Sequence, residues 1–287
     1  MRACFAPVLV ISLGGAFGCG SGKKVALRYY PPAGAVYHYT LEQNTKITVH
    51  SGPLAGMGQQ QMTMRMHFTQ TVKGPAAAGG TEVQVVFDST TMEMPGVPSD
   101  AIAAQLARMR GLRSIVVFDD RAQILRTDFA AGQSAPPGMA NQMAAGIKAM
   151  TFGFPERPVG RGDSWTMTTE LPLGQIPGAN ASQAGPARTT LTVREIRMLG
   201  SDTSVIIDIK TAFPTGPIQL SFAGQRATLK LAGQLAGDQE FSLSRGAVVG
   251  GVMKGLMTMN ISAPAMGMAA MEMATDTQNS IRLVDAK

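Results

Sequence analysis

From Val36 onward, apolar and polar side chains alternate with a period of two over two long stretches. In the first, Tyr37, Tyr39, Leu41, Ile47 and Val49 fall on one side, and His38, Thr40, Glu42, Asn44, Lys46, Thr48 and His50 on the other. In the second, residues 59–72, Met62, Met64, Met66 and Phe68 are separated by Thr63, Arg65 and His67. Side chains two apart on an extended backbone face the same way, whereas a helix would scatter these methionines around its axis. The Gly- and Pro-bearing segment 51–58 between them predicts a turn, so the pair reads as a long antiparallel hairpin with one apolar face. Strands of about 14 residues extend roughly 45 Å, long for a sandwich and suited to a large curved sheet.

The same alternation continues downstream. In 81–94, Val83, Val85 and Phe87 share a side, while Val86, Met92 and Met94 shift the phase, which predicts a bulge near Val85 and Val86. Two short helices are expected. One spans 99–111, with Ser99 or Asp100 as N-cap, Ile102, Leu106 and Met109 as the apolar stripe, and Gly111 as the stop. The other follows Pro137, with Met139, Met143, Ile147 and Met150 on one face. Between them, 113–129 reads as a hairpin turning at Asp119, Asp120 and Arg121.

The run FPERPVGRGDSW, 154–165, forbids regular structure until Ser164 and marks a boundary between a β-rich half with helices, 36–153, and a second β-rich half, 154–287. Strands are expected at 165–170, 188–197, 204–213, 226–235, 239–243, 252–262 and 269–283, with 172–187 as a loop. The fold class is therefore mainly β with a few short helices (α+β). Long antiparallel strands would form a large curved sheet or half-barrel, and similar hairpins in both halves hint at a duplication.

The first 18 residues carry one charge, Arg2, followed by the apolar run 5–17, which reads as an export signal. Ala16 and Gly18 satisfy an ordinary signal peptidase. They also resemble a bacterial lipobox ahead of Cys19, although Ala16 stands where Leu is usual and Phe17 is larger than usual. The resemblance implies acylation of Cys19, of the palmitate kind, with 19–35 as a tether ending at Pro31-Pro32. Gly20, with no Asp at that position, fits an outer-membrane address facing the periplasm. Cys4 leaves with the leader, so neither a disulfide nor a cysteine zinc site is expected. The net charge of +6 is spread over scattered residues with no dense basic run, so nucleic acid is not an expected partner.

Tyr37-x-Tyr39 after Gly34, the FDDRAQI turn and FPERPVGRGDSW resemble a group of uncharacterised bacterial envelope lipoproteins that share a domain of unknown function. In outline, long amphipathic strands with helical plugs are also similar to the LolA/LolB-like half-barrel of lipoprotein carriers. That likeness is one of architecture, which does not transfer function, and no carrier residue carries over by position.

Three functions are open to such a chain. The first is non-enzymatic binding of an apolar ligand, or a structural role in the envelope, with Met62, Met64, Met66 and Phe68 lining an apolar groove. The second is Cu(I) binding through the recurring Met-x-Met pairs, since thioethers are soft ligands. Alternation turns His67 away from the methionine face, which removes the nearest nitrogen ligand, so no metal or other cofactor is expected. The third is an envelope enzyme. There is no Gly-x-Ser-x-Gly, and Asp119-Asp120 and Asp163 sit where turns need them, so no catalytic residue is assigned.

Overall fold

The computed structural model describes residues 23–52, 55–96, 98–107, 109–129, 152–169, 179–183, 186–214, 216–222, 225–264 and 268–287. Cys19 lies outside them, as does nearly all of the expected helix after Pro137. Thirteen strands form one antiparallel sheet. They are β1 (Val36–Val49), β2 (Gln59–Pro75), β3 (Thr81–Glu93), β4 (Arg113–Phe118), β5 (Ile124–Phe129), β6 (Ser164–Thr169), β7 (Ala179–Gln183), β8 (Ala187–Leu199), β9 (Asp202–Ala212), β10 (Ile218–Phe222), β11 (Gln225–Ser242), β12 (Ala247–Ala263) and β13 (Met268–Ala286). A single α-helix, α1 (Ser99–Ala107), is present among the described residues and packs beside β3.

The spatial order is β5-β4-β3-β2-β1-β13-β12-β11-β9-β8-β6. Neighbours in sequence are therefore mostly neighbours in space, and the first and last strands meet in the middle of the sheet. The β1–β13 ladder runs from Tyr37 opposite Ala286 to Val49 opposite Met273. It is closed by two bonds between Val36 and Lys287, each 2.9 Å.

The sheet forks at β11. Its C-terminal part pairs with β9, beginning at Gln234 opposite Ala212, and its N-terminal part pairs with β10, from Leu229 opposite Ile218. Strands β9 and β10 thus lie end to end along one edge of β11, separated where Pro214 and Pro217 cannot donate to a ladder. The outer pair breaks in step: β8 runs beside β9, β7 beside β10, and Pro186 sits between them.

Several expectations need correction here. Residues 179–183, expected in a loop, form β7, because β10 offers a partner that overrides the weak strand propensity of Asn-Ala-Ser. The two strands expected at 226–235 and 239–243 are one continuous β11. Gly233 and Gly237 do not break it but let β12 approach: a Cβ built on Gly233 would run into Leu256 O, and one on Gly237 into Val252 O. The β3 bulge falls at Asp88, not at Val85 and Val86. His67 faces Ser89 and Phe68 faces Phe87, so Asp88 has no opposite number. Its carboxylate accepts a 2.7 Å bond from Thr69 Oγ1, which holds the extra residue outward while Val83, Val85, Phe87, Thr90 and Met92 share one face.

The tether is shorter than expected, because Val25, Leu27 and Tyr29 are core residues. Val25 exchanges two 2.8 Å backbone bonds with Val159, and the Tyr29 N–H donates to Asp120 O at 2.8 Å. The alternation Val25-Leu27-Tyr29 is the signal for this strap, and the flanking Lys23-Lys24 and Pro31-Pro32 obscure it.

The two faces of the sheet differ chemically. One carries His38, Glu42, Arg65 and His67, with Arg65 paired to Glu42 at 2.8 Å and Arg194 bridging Asp208 and Asp238 at 3.2 and 3.0 Å. The other carries the core, which joins residues from β1–β4 to residues of β8, β9, β11 and β12. Strands are about 4.8 Å apart, so a flat sheet would hold β4 and β11 nearly 30 Å from each other. Their side chains line one cavity instead, so the sheet is curved around it.

Candidate functional site

The curved face frames a cavity of about 330 Å³ that is open on one side. Period-two alternation supplies its walls. Strand β1 contributes Tyr39, Leu41 and Gln43, β2 contributes Met64, Met66, Phe68 and Gln70, and β3 and β4 add Val85, Phe87, Val116 and Phe118. Beside β1, strand β13 adds Asn279 and Ile281, and across the curve stand Gln239 and Phe241 of β11 and Ala247 and Val248 of β12. Register explains the assembly: Leu41 lies between Met66 and Ile281, and Gln43 between Met64 and Asn279.

One end is plugged by aromatic side chains from segments outside the sheet. Tyr29 packs on Phe118 with ring centres 4.7 Å apart, and Phe154 meets Phe241 edge-on at 4.7 Å. Arginines on the outside fix the plug. Arg28 donates to Leu27 O, Pro155 O and Glu156 O and pairs with Asp120 at 3.2 Å, while Arg121 donates to Phe154 O at 2.9 Å and pairs with Glu156 at 2.9 Å. The Asp119-Asp120 turn serves this plug. Asp119 Oδ1 accepts from the N–H groups of Arg121 and Gln123, an Asx turn that also admits Ala122 at φ 60°. Asp163 is likewise a turn residue: it accepts the Gly160 N–H at 2.9 Å and, with Lys24 and Arg157 beside it, has its carboxyl held below the ordinary range. Trp165, half-buried, donates its indole N–H to Gly153 O at 2.8 Å.

Two tyrosines span the curve. Tyr39 stacks on Phe68 at 5.2 Å and donates its hydroxyl to Val248 O at 2.8 Å, and Tyr37 donates to Arg245 O at 3.0 Å. Burial pushes the phenols of Tyr29 and Tyr39 well above their ordinary value.

Of the residues singled out in the sequence, Met64, Met66 and Phe68 are in the cavity wall. Met62 is on the same face, opposite Thr45, one pair beyond the cavity. His67 points to the other face, with Nδ1 3.0 Å from Thr40 Oγ1. Away from the plug the same apolar face continues as a pavement of half-buried methionines. Met92 stands opposite Met64, Met253 opposite Asn279, Met257 opposite Thr275, and Met259 opposite Met273. A line of polar side chains crosses it: Gln43, Asn279, and the hydroxyls of Thr45 and Thr277, 3.1 Å apart.

The cavity's chemistry is one-sided. Among the described residues no Lys, Arg, His, Asp or Glu lines it, and its polar groups are amides and phenols. Such a surface offers apolar contact and neutral hydrogen bonds.

No family model matches the chain, and no curated protein matches it. Among solved structures it is similar to lipovitellin, described for its lipid–protein interactions, with 9% identity and a TM-score of 0.51 over 90% of this chain. The match spans 26% of the lipovitellin chain. This likeness concerns the fold. It adds no support to the LolA/LolB comparison.

Proposed function

We propose that this protein is an exported, non-enzymatic lipoprotein of the bacterial cell envelope that holds an apolar ligand, a lipid or an acyl chain, on its curved face. Cys19 carries the anchor, and the protein sits in the outer membrane facing the periplasm. One observation carries the ligand reading: a roughly 330 Å³ cavity with no charged side chain among its described lining residues opens onto a face of half-buried methionines. Small-molecule sites range over about 300–1,000 Å³, and this one accommodates a single chain. Methionine is unbranched and polarizable, so it moulds to varied apolar shapes. The likeness to lipovitellin agrees with this reading.

Native mass spectrometry of the protein extracted from membranes in mild detergent, with analysis of the organic extract, tests it. A bound lipid near one per protein is expected. Protein that is empty, and that also fails to take up the apolar dye N-phenylnaphthylamine, sinks the reading.

A further inference from the structure

We infer that the ligand is an uncharged single-chain lipid with a hydroxyl head, such as a fatty alcohol or a monoacylglycerol, rather than a fatty acid or a phospholipid. The inference rests on the apolar-ligand reading and sharpens it. Cations close to the cavity are engaged elsewhere: Arg28 and Arg121 bind backbone carbonyls and carboxylates of the plug, and Arg245 pairs with Asp202 at 3.3 Å. A carboxylate or phosphate drawn inside would lose its water and meet no counter-charge among the described lining residues, which is the most unfavourable form of burial. A hydroxyl needs only a neutral partner, and the wall has one to spare. Asn279 lines the cavity with its amide, and its Oδ1 is buried without a hydrogen-bond partner. Its cross-strand neighbour Gln43 turns its amide N–H to Thr45 Oγ1 at 3.1 Å and so does not donate it to Asn279, whose buried oxygen is left without a partner. Rotation about the broad last torsion of Asn279 brings that oxygen to a ligand hydroxyl lying along the wall.

Displacement of N-phenylnaphthylamine from the full chain, at about pH 8 where carboxylates are ionised, compares dodecanol, dodecanoate and dodecyl methyl ether. Dodecanol should displace the dye at least about tenfold better than dodecanoate. It should also exceed the ether by about fivefold, although the ether is the more apolar, because only the alcohol has a proton to give. Asn279→Leu should erase the alcohol–ether difference. Dodecanoate binding as well as dodecanol, or an ether equal to the alcohol in the wild type, overturns the inference. If Asn279→Leu loses its near-ultraviolet dichroism, the wild-type comparison still decides. Failure of all three compounds, and of the dye itself, overturns the underlying lipid reading instead.

Discussion

Lengthening a ligand one carbon at a time measures how much of it the cavity covers. Each buried methylene contributes about 0.8 kcal/mol, or roughly fourfold in affinity. The cavity wall follows β1 from Tyr39 to Gln43, four steps of about 3.4 Å or about 14 Å in all, the length of about eleven extended carbons at roughly 1.25 Å each. From hexanol to undecanol, affinity should therefore climb by about 4 kcal/mol, close to a thousandfold. Longer chains pass out over Met62, Met253 and Met257, which are only half-buried, so roughly half of each added methylene stays wet. The slope should fall there to about 0.4 kcal/mol, or twofold per carbon. Dye displacement across the series to hexadecanol reads the break directly. An unbroken fourfold slope to hexadecanol would refute the covered length, and a flat series would refute burial of the chain altogether.

Three further outcomes follow from the packing. Phe154→Ala removes a ring that is 2% exposed and packed against Phe241, and should lower stability by about 3–5 kcal/mol in urea denaturation. Gly237→Ala, which would gain in a relaxed strand, should instead destabilise by about 1–3 kcal/mol in thermal melts, because its methyl group meets the backbone of Val252 and Met253. Burial raises the phenol pKa of Tyr29 and Tyr39 above the ordinary 10.0. The unfolded chain therefore loses these protons first, so their contribution is whole below about pH 10 and falls as pH rises beyond it. Urea midpoints should drop on going from about pH 9 to pH 11, and Tyr39→Phe should flatten that drop.

The sheet was legible wherever alternation ran long. Residues 36–49 and 59–72 named their own inner faces, and the start of β6 at Ser164 followed from the prolines and glycines before it. What escaped depended on partners remote in sequence. Strand β7 exists because β10 lies beside it, and β10, five residues between Gly-Pro and Gly, is too short to announce itself. Gly237 fell in the gap between two expected strands because its purpose, room for β12, lies across the ladder. In the cavity, the β2 contribution was readable, but the plug was not. Leu27, Tyr29 and Phe154 come from segments whose prolines and charges read as linker, and Asn279 gains significance only from its register with Gln43.

The choice of methionine over leucine on the inner face carries its own consequence. Along β1 the inner side chains run from Tyr37 and Tyr39, fixed by hydrogen bonds at the plugged end, through Leu41 and Gln43 to Thr45 and Ile47. Rigid aromatic groups thus close one end, and flexible thioethers pave the rest. Immobilising a methionine forfeits more rotamer entropy than immobilising a leucine, so methionine is a poor choice for a dry, finished core. On a half-buried face that entropy is retained until a ligand arrives, and the side chains then settle around whatever shape it has. Replacing Met62, Met64 and Met66 together with leucine should therefore leave stability within about 1.5 kcal/mol per site. It should leave dodecanol affinity nearly unchanged while weakening branched and cis-unsaturated alcohols of equal carbon number several-fold. Urea denaturation and the dye-displacement panel read the two effects separately. Equal losses for straight and bent chains would mean that the methionines contribute only apolar area, and the argument from flexibility would fail.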